Sequence, residues 1–157
     1  MLNVSIVLYH PDWKQVADLT QIFLQSNEVN HVYWIDNSPI LETNLPIQSS
    51  KISYRHNSRN IGYGAAHNIA IRESIYNDIP FHLVVNPDII LTTDALQMML
   101  NFMVQNPQVG SLMPKIVYPN GELQLLCKLL PTPFDVFGRR FLPQKWMWVL
   151  SKRPMSR

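Results

Sequence analysis

Residues 81–91, FHLVVNPDIIL, constrain the fold more than any other stretch. The apolar run Leu83-Val84-Val85 stops abruptly at Asn86-Pro87-Asp88, and apolar residues resume at Ile89-Ile90-Leu91. A short run rich in β-branched residues predicts a buried strand. Pro87 has no N–H to give to a ladder, so the strand must end there. A carboxylate, Asp88, is thereby delivered to the carboxyl end of a core strand, where ligands bind in open α/β sheets. A hard cation such as Mg²⁺ is commonly held in such places by one or two carboxylates together with substrate phosphates. The same three residues are good turn formers, so on this segment alone a plain turn is favoured over a metal site, and the segments upstream shift the balance.

The pattern of a run and a stop recurs upstream. Residues 2–9, LNVSIVLY, predict a core strand broken by His10-Pro11-Asp12. Residues 31–36, HVYWID, predict a second strand ending in Asp36, with Asn37-Ser38-Pro39 as its turn. Residues 51–56, KISYRH, alternate as a shorter third strand. Between the runs the period changes to that of a helix. Residues 13–25 place Trp13, Val16, Thr20, Phe23 and Leu24 at helical spacing, and residues 65–76 are helical in pattern. After the strand near 83–85, Thr92 or Thr93 can cap a third helix with Asp94 in its first turn. That helix carries Leu96, Met99, Leu100 and Met103 on one face and ends at Asn106-Pro107. Residues 109–117 are expected to form a further strand, followed by a hairpin turn at Pro119-Asn120-Gly121. Alternation of this kind predicts an α/β fold with a mostly parallel central sheet flanked by helices.

The chain has 157 residues, of which 46% are hydrophobic and 15% charged, so it can enclose a real core and is not of disordered composition. A net charge of +2 gives no argument for nucleic acid. The single cysteine, Cys127, excludes an internal disulfide framework and fits a reducing, cytoplasmic setting. No secretory leader is expected in MLNVSIVLYH, and no run is long and apolar enough to cross a bilayer. From Lys128 onward there are seven basic residues against one acid, Asp135, a net +6 that leaves −4 for everything before it. Two regions are therefore expected: an α/β domain over 1–127 and a basic, aromatic segment over 128–157. The latter has room for a helix in 134–150 carrying Phe134, Phe137, Phe141, Trp146 and Trp148. Residues 134–157 fit either an interfacial segment that contacts an anionic membrane, or the start of a further region packed on the rest.

Between the two strands that end in acids lies Asn57–Asn68, NSRNIGYGAAHN, with Gly62 and Gly64 opening a helix. Its backbone N–H groups and helix dipole suit an anion. It is no Walker loop, because no Gly-Lys-Ser/Thr follows, and no dinucleotide fingerprint, because the third glycine is missing. Two acids and a phosphate-friendly loop at carboxyl strand ends fit a nucleoside diphosphate with a divalent ion. Asp36 would meet the base or ribose and Asp88 would hold the metal. His31, His56, His67 and His82 are scattered and form no zinc pair, although His67 lies beside the loop. Cys127 is expected as a buried small hydrophobe. Arg55 and Arg59 can steer phosphates or simply be solvated, and Gln124 is either near the pocket or on a hairpin surface.

Taken together, SIVLYH (5–10), IDNS (35–38), NIGYGAAHN (60–68), VVNPDI (84–89) and PKIVYPNGELQ (114–124) resemble the N-terminal half of a glycosyltransferase family 2 enzyme. The resemblance is to the rhamnosyltransferase-like branch that builds bacterial surface polysaccharides, and it runs from about residue 3 to about residue 140. It implies a GT-A fold, a Rossmann-like nucleotide-sugar-binding domain, using Mg²⁺ or Mn²⁺. The implied reaction is sugar transfer with inversion from a nucleotide-diphosphate donor to a glycan or lipid-linked acceptor, by an enzyme that is cytoplasmic or peripheral on the inner membrane face. On this resemblance Ser5 and Tyr9 match first-strand nucleotide contacts and Asp36 the nucleoside-binding acid. Asn60, Gly62, Gly64 and Asn68 match the loop beside base and diphosphate, and Asn86 and Asp88 the ends of a DxD metal motif. Asn86 departs from that motif, which leaves Asp88 as the main metal ligand. An acidic pair that supplies the general base is also missing after residue 124. The catalytic base is therefore expected beyond residue 157, in a sequence that reads as a truncated donor-binding half with little transfer of its own. Two other readings remain: a non-catalytic nucleotide- or partner-binding α/β module whose acids are turn formers, and, less well supported, a sugar nucleotidyltransferase, whose glycine-rich loop should follow the first strand.

Overall fold

The structure, a computed structural model, describes residues 1–124. Four strands and three helices follow in the order β1 (Leu2–Leu8), α1 (Trp13–Gln25), β2 (Val29–Asp36), β3 (Ile52–His56), α2 (Tyr63–Tyr76), β4 (Phe81–Val85) and α3 (Thr93–Gln105). The strands form one sheet in the order β3-β2-β1-β4, and every pairing is parallel. The fold is thus α/β with an all-parallel sheet, Rossmann-like in architecture.

β1 sits inside the sheet and every one of its residues is buried, as a strand covered on both faces must be. Its alternate residues divide the core in two. Leu2, Val4, Ile6 and Leu8 join Val32 and Trp34 of β2, Val16, Leu19 and Phe23 of α1, and Leu96 and Leu100 of α3. Val7, on the other face, joins Ile35, Ala66 and Ala70. Helices α1 and α3 therefore cover one face and α2 the other. The two alanines let α2 lie close against β1.

The helix starts follow local chemistry. Asp12 caps α1, accepting from the N–H of Lys14 at 2.9 Å and of Gln15 at 3.4 Å. Thr92 caps α3 through Ala95 N–H at 3.2 Å. Helix α2 has no such cap: Gly62 occupies the position with φ +89°, and no side chain bonds the first turn. Asp12→Ala should lower stability by about 1 kcal/mol, seen as a lower urea midpoint with unchanged slope.

The expected strand at 109–117 does not form. Among the described residues the only pairing there is a single antiparallel bridge, Val117 with Leu123. Pro114 removes a donor in mid-run, and Pro119 ends the segment two residues after the bridge. The turn itself is present: Gly121 has φ +84°, Tyr118 N–H donates to Glu122 O at 2.8 Å, and Gln124 N–H donates to Ile116 O at 2.9 Å. By contact density the chain divides into Met1–Leu112 and Met113–Arg157. Cys127, the basic segment 128–157 and the helix expected in 134–150 lie outside the described residues. Among the described residues no helix is long and apolar enough to cross a membrane.

Candidate functional site

Parallel strands put all four carboxyl ends on one rim. Helix α1 returns the chain from β1 to β2 on one side, whereas β4 pairs with the other side of β1, so the direction of winding reverses at β1. Ligands bind in the crevice beyond such a reversal. The segments that follow β1, β2 and β4 and precede α2 all converge there.

Asp36 ends β2 with 1% of its surface exposed. One of its oxygens accepts from Ser38 N–H at 2.8 Å and the other from the Tyr54 hydroxyl at 2.7 Å. Burial, and then the bond to Asp36, push the Tyr54 phenol up to about 12. The carboxylate adjoins a cleft of about 300 Å³ lined by His10, Pro11, Trp13, Ser38 and Glu42. His10 reaches this cleft with φ 49°, and its N–H donates to Ser38 Oγ at 2.8 Å. Tyr9 stands beside it, 56% exposed, with its ring edge-on to His10 at 4.6 Å.

The glycine turn is bonded to the rim on both sides. Asn60 Oδ1 accepts from Gly62 N–H at 2.9 Å. Asn37 Nδ2 donates to Gly62 O at 3.4 Å, and Asn57 Nδ2 donates to Asn37 Oδ1 at 2.9 Å. Tyr63, the first residue of α2, donates its hydroxyl to Asn86 Oδ1 at 2.7 Å. Burial and the nearby Asp88 charge raise its phenol above the ordinary value. The turn after β4 is therefore tied to the start of α2. With no side chain on Gly62, the first-turn N–H groups of α2 are left for an anion.

Asp88 is exposed and opens on a second cleft of about 360 Å³, shared with Gln15, Asp18, Leu19 and Ile22. The two acids thus lie on the same rim but on either side of β1. Strands two ladder steps apart are about 10 Å from each other, and the acids line different clefts. Among the described residues no three His, Cys, Asp or Glu side chains gather into a metal cage. What Asp88 offers is one free carboxylate. That fits a Mg²⁺-type ion completed by phosphate oxygens and water, and does not fit an ion held by protein alone.

The other expected residues fall less simply. Gly64 lies inside α2 with ordinary backbone geometry, and open space surrounds both it and Gly62. Asn68 is exposed on α2. Ser5 requires a correction. It is fully buried beneath α2, and its hydroxyl is shared between His67 Nδ1 at 2.7 Å and His82 Nε2 at 2.8 Å. It sits three residues short of the end of β1 on the α2 face, so it contacts the helix and not the rim. Sequence reasoning missed Tyr54 and Tyr63. Tyr54 carried a faint signal, since in the alternating KISYRH it falls two residues before the strand end that lies beside Asp36.

A larger cleft, about 490 Å³, lies elsewhere, along β4 and α3 between Leu83, Leu96, Met99 and Met103. Its lining carries little chemistry apart from His82. No family model and no curated protein matches the chain.

Proposed function

We propose that this chain is the donor-binding part of an inverting, family 2-like glycosyltransferase of GT-A fold. On this reading it takes a nucleoside-diphosphate sugar, with rhamnose as one candidate, and Mg²⁺ or Mn²⁺, and serves a glycan or lipid-linked acceptor. The observation that carries the reading is the meeting of the uncapped start of α2 with the Asn86-Pro87-Asp88 turn, joined by Tyr63 and Asn86, at the point where the sheet reverses. The five motifs that suggested the family supply the reaction class.

On this reading the N–H groups of Tyr63, Gly64 and Ala65 cradle phosphate oxygens. The Asp88 carboxylate holds the ion, which when bound neutralises charge on the diphosphate leaving group. The 300 Å³ cleft beside Asp36 receives the nucleoside, with Tyr9 and His10 at its mouth. This reading assigns no general base for the acceptor proton to the 157 residues, so the chain binds donor and transfers little. Robust turnover by this chain would contradict that assignment.

One observation favours the other reading, a non-catalytic module. Both oxygens of Asp36 already serve local structure, through Ser38 and Tyr54. Calorimetric titration of nucleoside diphosphates with and without Mn²⁺ separates the two. Metal-dependent binding that Asp88→Ala weakens at least tenfold, about 1.4 kcal/mol, supports the donor site. If no nucleotide binds under either condition, the module reading takes its place.

A further inference from the structure

The α2 face of β1 is polar where an apolar core would be ordinary. Asn3 and Ser5 point into it, and both are fully buried. Asn30 Nδ2 donates to Asn3 Oδ1 at 3.0 Å, and Asn3 Nδ2 donates to Ser74 Oγ at 3.0 Å. Ser74 Oγ donates to Ala70 O at 3.2 Å and lies 2.7 Å from His82 Nδ1. Ser5 then bridges His82 to His67. At the end of this row His67 Nε2 is buried with no partner, on a residue only 3% exposed.

Counting protons fixes the direction of every bond. With the Ser74 proton on Ala70 O, His82 must donate from Nδ1, leaving its Nε2 as an acceptor. Ser5 donates to that Nε2 and accepts from His67 Nδ1–H. His67 is left with a bare Nε2, and the only idle atom is a lone pair. Reversing the row would bury an N–H with no acceptor, the costlier and rarer defect. Every proton is thus used, and both rings must be neutral. A proton added at His82 Nε2 takes the acceptor away from the Ser5 hydroxyl proton, and one added to His67 falls on the enclosed Nε2.

The groups packed around the two rings offer such a proton no partner, although half-buried His82 also borders the 490 Å³ cleft beside α3. From α2 itself the facing titratable group is Tyr63, whose ring lies edge-on to His67 at 4.3 Å. β1 contributes Ser5 and Asn3, and β4 contributes the second imidazole. No carboxylate or cation among the described residues acts on either ring; burial pushes both down to about 4, and for His82 the neighbouring His67 adds to it.

We propose that α2 is fastened to the sheet by this proton-locked clamp, and that mild acid releases the helix, with the glycine turn at its start, ahead of the β1–β2 ladder. The ordinary histidine value of 6.5 applies once the helix lifts away. Between 6.5 and 4 the lifted state therefore binds more protons than the closed one. The clamp is at full strength above 6.5 and weakens as pH falls towards 4. The effect on ligand binding rests on the proposed phosphate cradle at α2, whereas the clamp does not.

The test uses the full chain. Histidine-selective ¹⁵N spectra at pH 7.5 should show the proton of each of these two rings on Nδ1; a proton on His67 Nε2 overturns the proposal. Hydrogen exchange should then show the opening constant of α2 rising by up to about a hundredfold per pH unit within the window, for two protons taken up. Amides of β2 should rise less. Parallel change in α2 and β2, or no change, also overturns it. Ser5→Ala cuts the row and should bring the α2 slope nearer to tenfold per unit; if that variant does not fold, the spectra and exchange of the unaltered chain still decide. Finally, a nucleoside diphosphate with Mn²⁺ at pH 7.5 should slow α2 opening. Failure there, with the spectra as expected, counts against the cradle and leaves the clamp standing.

Discussion

Trp34→Ala should remove about 3–5 kcal/mol of folding free energy, the usual cost of emptying a large buried aromatic site. Trp34 is fully enclosed between the sheet and α1. Its indole N–H donates to Thr20 Oγ1 at 3.1 Å, and its ring lies 5.8 Å from that of Trp13. The variant loses the area, leaves a cavity and takes the indole donor from the buried Thr20 hydroxyl. Domains of this size hold about 5–15 kcal/mol in total, so a large share of the molecules should be unfolded at modest urea. Trp34→Phe, which keeps most of the volume, should cost clearly less. Urea denaturation followed by circular dichroism reads both. A loss below about 1 kcal/mol for the alanine variant would mean that the core on this face is not organised around Trp34.

The second large effect concerns Asp36. Asp36→Ala should cost about 2–4 kcal/mol, because hydrogen bonds to a charged acceptor contribute about 1.5–3 kcal/mol each while removal of a buried charge returns part of that. Tyr54→Phe should cost about 1–3 kcal/mol, since one carboxylate oxygen is then left without its donor. The two residues touch, so the double variant should cost less than the sum of the single ones. Alkali gives an independent readout. The Tyr54 phenol holds its proton to about 12 in the folded protein, above its ordinary value of 10. Its contribution is therefore complete below pH 10 and should be lost as pH rises from 10 to 12. Ultraviolet titration of the phenols in the wild type and in Tyr54→Phe isolates that component. Additive costs would place Tyr54 and Asp36 in separate roles and remove the frame on which the 300 Å³ cleft depends.

The parallel sheet was legible because β-branched runs and proline stops are local signals. LNVSIVL and FHLVV announce buried strands, and HPD, NSP and NPD announce where they end. The placement of Asp36 and Asp88 at carboxyl strand ends followed from the same signals. Ser5 was not legible. A serine in a strand reads the same whether it faces a cleft or a helix, and its two imidazole partners lie 62 and 77 residues away. Residues 109–117 misled for the opposite reason: the residue types suit a strand, but Pro114 breaks the ladder and no long partner pairs with it among the described residues. The glycine pair was half legible. Gly62 does adopt the left-handed backbone that only glycine takes easily, whereas Gly64 is an ordinary helical residue.

The interior position of β1 has a consequence for synthesis. Leu2 pairs with Val29 on one side and with Phe81 on the other. The apolar segment of β1 leaves the ribosome before both of its partners and must wait, uncovered on one flank, until α1, β2, β3 and α2 have been made and β4 follows. Non-local pairing of this kind slows folding and leaves a sticky nascent segment in the meantime. A chaperone that masks LNVSIVL during translation should raise the yield of folded protein more than one that acts after release.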